Sequence, residues 1–122
     1  CYYGCLLTRP PEIVAFDNPE HPTAMDDLVA ATGAEPVEWP YKTECCGASL
    51  SMTHTDVVCR LSHRLLSMAR QAGAECVVVA CPLCQVNLDL RQAAARIDEA
   101  GKTGSAAAPC VAFPAERWIL ES

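Results

Sequence analysis

The stretch ECVVVAC, residues 75 to 81, carries three consecutive valines, Val77 to Val79, with no polar residue alternating between them. A short β-branched run set between two helical patterns is the signature of a strand buried on both faces of a parallel sheet. The surrounding chain repeats that alternation of helices with short apolar segments, which predicts an α/β class.

Periodicity predicts the other elements. CYYGCLL reads as a strand and the turn that leaves it, and the four prolines of TRPPEIVAFDNPEHP exclude a regular helix through its middle, leaving a loop. Residues 21 to 33 place Met25, Leu28 and Val29 on one helical face and stop at Gly33, and EPVEW reads as the next strand. The longest helix is expected from Thr55 to Gln71, with Val57, Val58, Leu61, Leu65 and Met68 on its apolar face and Gly73 beyond it. A helix follows the valine strand, from Pro82 at its first turn to Gly101 past its end. KTGSAAAP is a connection, CVAF a further strand and PAERWILES a closing helix. The expected fold is Rossmann-like: three layers, a small and mainly parallel sheet, and helices on both faces.

At 122 residues the chain is one domain, large enough to bury a core without disulfide staples. Its formal charge of −6 disfavours nucleic acid or an anionic membrane surface as the partner. No apolar run reaches the roughly 20 residues that span a bilayer, so no direct membrane insertion is expected. The first residues show no basic region followed by an apolar core, so no secretory signal is expected, and a cytoplasmic location is. The opening on Cys1 and an apparent strand end predicts that residues 1–122 are a fragment of a longer, two-domain subunit.

The nine cysteines are odd in number and unevenly spaced, which fits ligation in a reducing compartment better than a disulfide framework. Ligands of a parallel sheet bind beyond the carboxyl ends of its strands. Cys5 closes the first strand, Cys45 and Cys46 follow the second, and Cys81 and Cys84 lie where the valine strand enters its helix. Thiolates are soft donors for zinc, Cu(I) or iron–sulfur clusters, and a two-residue gap lets both sulfurs of a pair face one centre. The free amides of residues 83 and 84 in the first helical turn are expected to favour a thiolate there. Gly4 and Gly47 let the backbone pass close to a bulky inorganic group.

Cys5, then Cys45-Cys46-Gly47, then Cys81-Pro82-Leu83-Cys84 resemble the motif of the cysteine-rich CCG domain, found twice in the B-type subunit of heterodisulfide reductase and in related oxidoreductase subunits. YYGCLLTRPP, ECCGASL and VVVACPLCQVNLDLRQ extend the resemblance beyond the cysteines, and it is strongest to the C-terminal CCG domain of that B-type subunit. The resemblance implies a noncubane [4Fe-4S] cluster held by Cys5, Cys45, Cys46, Cys81 and Cys84, near which a small disulfide substrate is cleaved by one-electron steps. It also implies flavin or iron–sulfur partner subunits that supply the electrons. On this reading the chain is an oxidoreductase module acting within a complex. Neighbouring thiolates at Cys45 and Cys46 then reach different irons.

Two other readings compete. One is a zinc-stabilised assembly domain that docks a partner oxidoreductase subunit through four of the five cysteines. The other is a dithiol oxidoreductase built on Cys81-Pro82-Leu83-Cys84, which leaves Cys5, Cys45 and Cys46 unexplained.

Cys1, Cys59, Cys76 and Cys110 are expected to pack as small hydrophobes. Pro82 and His54 join Gly4 and Gly47 as residues supporting the sulfurs, His54 as a donor close to the CCG turn. His21 lies in a proline-bounded loop and His63 on the long helix. Lys42 and Arg9 are expected to be solvated cations, with a lesser prospect of steering an anionic substrate. Asp26, Asp27, Asp56, Asp89, Asp98 and Glu99 fall at solvent-facing helical phases, and none pairs for acid–base work.

Overall fold

The computed structural model describes residues 1–92 and 110–112. Its elements are α1 (Pro11–Val14), α2 (Ala24–Ala31), α3 (Thr55–Gln71), β1 (Cys76–Val78), α4 (Pro82–Gln85) and β2 (Cys110–Ala112). A 3-10 turn at Ala48–Leu50 precedes α3, and a π-helical turn at Val86–Leu90 continues α4. Among the described residues no helix is long and apolar enough to cross a membrane. The connection at 102–109, the closing helix at 114–122, most of the second half of the helix expected after Pro82, and Asp98 and Glu99 lie outside the described residues.

The valine run forms β1, which pairs in parallel with β2, Cys76 opposite Cys110 and Val78 opposite Ala112. One residue further on, Val79 bridges in parallel to Tyr2, whose amide donates to the Val78 carbonyl at 2.8 Å. The first expected strand is thus a single bridge, cut short where the chain turns at Gly4 with φ +66°.

EPVEW forms no strand. Pro36 lies within it and Pro40 follows it, and neither has an amide to donate to a ladder. Trp39 Nε1 donates to the Cys1 carbonyl at 2.8 Å, and the Lys42 carbonyl accepts from both Tyr3 and Gly4 amides. In the proline-rich loop, α1 is one helical turn that starts at Pro11, where a missing amide is harmless.

α3 has the expected bounds and buries a broader face than predicted. Val58, Cys59, Ser62, Leu65, Leu66 and Ala69 are its buried residues, while Val57, Leu61 and Met68 are half-buried. α2 is shorter than expected and buries Met25. Leu28, placed on that face by periodicity, is 61% exposed, because the inward line runs from Met25 to half-buried Val29.

α2 has no local cap, since the Thr23 side chain makes no capping bond. Its first amides are satisfied from afar: Asp17 Oδ2 accepts from Thr23 and Ala24, and the Tyr3 hydroxyl accepts from Met25 and Asp26. The same hydroxyl donates to Asp26 Oδ2 at 2.6 Å. Asp26 is therefore not solvent-facing as its phase suggested, and Lys42 is buried beside it rather than solvated, with Nζ 3.7 Å from Asp26 and 3.0 Å from Glu38. A charge so buried needs partners, and the two residues supply each other.

The core joins Tyr2, Trp39, Leu65, Val77 and Leu88, and three of the motif sulfurs, those of Cys46, Cys81 and Cys84, belong to it. Cys59 packs as a small hydrophobe as expected, whereas Cys1 and Cys76 are only half-buried.

Candidate metal centre

The CCG turn places its two sulfurs on opposite sides of the backbone. Cys46 is buried and 2% exposed, while Cys45 is exposed. Each receives an amide two residues on: Gly47 N donates to Cys45 Sγ at 3.3 Å, and the Ala48 amide bonds Cys46. That repetition is possible because Gly47 adopts φ +80°.

The side of Gly47 where a Cβ would project faces α3, since that atom would stand 2.8 Å from Leu61 Cδ1. Gly4 is the glycine that faces the sulfurs: a Cβ on it would meet Cys84 Sγ at 3.3 Å.

The sulfurs gather from three loops. Cys84 is buried in α4, and Cys46 Sγ lies 3.4 Å from its Sγ. Cys5 Sγ lies 3.6 Å from Cys45 Sγ at a more exposed edge. Cys81 is buried at the start of α4 and makes no side-chain cap bond, so its sulfur does not take up the first free amides of that helix. Among the described residues, no three His, Cys, Asp or Glu side chains form a ready-made site for a single ion.

Tyr2 ties these loops together. Its buried hydroxyl donates to the Glu44 carbonyl at 2.7 Å, beside the cysteine pair. Burial and then the nearby thiols push its phenol well above the ordinary range.

The thiols are not equivalent. The bond with the Cys84 thiol is the main reason the Cys46 pKa falls to about 6; burial opposes this, and Asn87 and the Ala48 amide assist it. Cys84 moves strongly the other way, because of its bond with Cys46 and its burial. Cys5 is pushed up to about 11 by burial, then by its bond to Cys45. One low and one high thiol within a pair describe a proton shared between two sulfurs.

The supporting residues divide. His54 is exposed at the head of α3 and makes no side-chain cap bond. Pro82 is exposed in the first turn of α4, where its role is to start the helix. His63 faces Ser67 on α3 at 3.3 Å. Arg9 and Lys42 line an open cleft of about 760 Å³ beside Cys5 and Cys45, together with His21. Neither cation is unpaired, since Arg9 meets Glu20 at 2.8 Å and Lys42 meets Glu38.

Asn87 was not singled out by the sequence. It is 1% exposed, and its Nδ2 donates to Cys46 Sγ at 3.5 Å. The available signal was a lone amide between Val86 and Leu88, three residues past Cys84.

The five motif thiols, three in the core and two facing a cleft, are soft donors and include the four that an iron–sulfur cluster takes. A dithiol exchanger needs an accessible, acidic first thiol, whereas Cys81 is buried and Cys84 is raised.

Residues 1–89 match the family model CCG, cysteine-rich domain. The chain is 36% identical over 95 residues to the B-type subunit of the ferredoxin/F(420)H(2)-dependent CoB-CoM heterodisulfide reductase of Methanosarcina acetivorans, covering 76% of this chain and 32% of the relative. It is 35% identical over 95 residues to the B-type subunit of the ferredoxin:CoB-CoM heterodisulfide reductase of Methanosarcina mazei, with the same coverage. It is also 32% identical over 91 residues to the 8-methylmenaquinol:fumarate reductase membrane anchor subunit of Wolinella succinogenes, covering 75% and 32%. The chain spans about a third of the length of these curated relatives. With its cysteine motif inside the matched residues, the chain belongs to the CCG family of cysteine-rich domains.

Proposed function

We propose that the chain is an iron–sulfur redox module of an oxidoreductase complex, built on a Rossmann-like α/β domain. Cys5, Cys45, Cys46, Cys81 and Cys84 would hold a noncubane [4Fe-4S] cluster. The observation that carries the reading is the pairing of motif sulfurs across distant loops, Cys46 with Cys84 at 3.4 Å and Cys5 with Cys45 at 3.6 Å. Parallel pairing of β1 with β2 supports the fold.

When bound, such a cluster supplies single electrons to a disulfide. The chain's own residues orient the thiolates and exclude water. Cys46, Cys81 and Cys84 sit among Tyr2, Leu65 and Leu88, so water is kept from that side of the centre. Cys5 and Cys45 border the open cleft, which is where a small disulfide would approach. The paired charges of Arg9 with Glu20 and Lys42 with Glu38 leave no net cationic wall there, so a strongly anionic substrate is not specially favoured. The names of the relatives support partner subunits that deliver electrons, and a reducing cytoplasmic setting fits the free thiols.

The zinc alternative needs three or four donors around one point. The five motif thiols are one more than a tetrahedral zinc takes, which supports the larger centre. Anaerobic reconstitution with iron and sulfide tests the reading: a brown protein with about four irons and four sulfides per chain is expected, as the cluster's formula requires. Stoichiometric zinc, with no iron taken up after reconstitution, would overturn it.

A further inference from the structure

Asn87 is a buried polar side chain outside the motif that is aimed at a sulfur. The Oδ1 of Asn87 accepts from Ser51 Oγ at 3.2 Å and from Arg91 Nε at 3.1 Å. Oxygen and nitrogen of an amide have the same shape, so their assignment rests on the neighbours. Arg91 has only donors, so the amide atom facing it is the oxygen, which leaves Nδ2 for Cys46 Sγ at 3.5 Å.

The clamp is itself anchored. Arg91 Nη2 donates to the Ser51 carbonyl at 3.3 Å, joining the segment after the CCG turn to the helix after Cys84. The π-helical turn Val86–Leu90 carries Asn87 and Leu88 as its buried residues. Such widened turns inside helices often occur at functional sites. A buried amide is costly unless its bonds are made, and both ends of this one are used.

We propose that Asn87 is a positioning residue of the sulfur centre: its amide donates to Cys46 Sγ, and Ser51 and Arg91 hold that amide in place. The role rests on Cys46 being a ligand in the function proposed above. A hydrogen bond to a ligating sulfur stabilises the more negative, reduced state and raises the reduction potential.

Two measurements test it. In the iron-loaded protein, Asn87→Ala and Ser51→Ala are expected to lower the reduction potential, Asn87→Ala by more. An unchanged potential in Asn87→Ala overturns the proposal. If Asn87→Ala takes up no iron, Ser51→Ala decides in the same way. The second measurement needs no iron: in the reduced metal-free chain, the Asn87 side-chain amide protons are followed by NMR. They are expected to exchange much more slowly than those of exposed Asn18 and to shift upfield in Cys46→Ala. Exchange as fast as that of Asn18, or a resonance indifferent to Cys46→Ala, overturns the proposal. A wild-type chain that binds no iron sinks the redox-module reading, while the amide measurement still decides the role of Asn87.

Discussion

The sulfur of Cys46 lies 3.4 Å from that of Cys84, 38 residues away along the chain. The contact joins the CCG turn to the first turn of α4 and puts a low-pKa thiol against a high-pKa one. If this pair belongs to the centre, substituting it differs in kind from substituting a core cysteine. Cys46→Ser is expected to abolish or alter iron uptake. Cys59→Ser, at a buried site on α3, is expected to keep the iron and lower stability by about 1–3 kcal/mol for a poorly satisfied buried hydroxyl. Iron assays and urea melts of both variants separate the two effects.

Gly47→Ala combines a left-handed backbone with a contact of 2.8 Å to Leu61 Cδ1. The expected loss is about 2–4 kcal/mol, from backbone strain plus overpacking against α3. Gly33 has a similar φ of +88° and nothing within 4 Å of an added Cβ. Gly33→Ala therefore costs about 1–2 kcal/mol from the backbone alone. Denaturant midpoints of the two variants should differ in that order.

The thiols make the stability of the metal-free chain depend on pH. Cys46 is lowered from 9.0 to about 6 on folding, so between those values the unfolded chain binds more protons and stability rises with pH. Its contribution is complete above pH 9 and is lost as pH falls through about 6. Cys84 is raised and Cys5 is raised to about 11, so above pH 9 their unfolded thiols ionise first and stability falls. Melting temperatures of the reduced, chelated protein are expected to climb toward pH 9 and then decline. Cys46→Ser should flatten the climb.

Tyr3→Phe removes the hydroxyl that accepts from the Met25 and Asp26 amides and donates to Asp26. It leaves the Met25 and Asp26 amides of α2 without their acceptor and a carboxylate beside Lys42 short of a partner. The expected cost is about 1–3 kcal/mol, read by thermal or urea unfolding. Iron uptake should persist, since these groups lie away from the sulfur pairs.

Local chemistry made several features legible in the residue order. The apolar period from Val57 to Met68 specified α3, because a helix that packs on one face must repeat its hydrophobes at that spacing. The valine run specified a strand, and its parallel partner was found at Cys110–Ala112. Proline content alone did not exclude α1, because Pro11 stands where a helix can begin.

What the sequence by itself determined, then, is the long helix, the buried strand and the soft-donor motif, each a property of neighbouring residues. Only the tertiary structure decided that Cys46 meets Cys84 while Cys5 meets Cys45, that a Cβ would meet a sulfur at Gly4 but α3 at Gly47, and that Lys42 and Asp26 are buried together. It also decided that a Tyr3 hydroxyl, not Thr23, caps α2, and that Asn87 turns inward to a thiol. The physical reason is common to all of these. Spacing along the chain governs which backbone hydrogen bonds close, whereas a buried polar group must find its partner wherever packing brings one, and that partner can come from any distance in sequence.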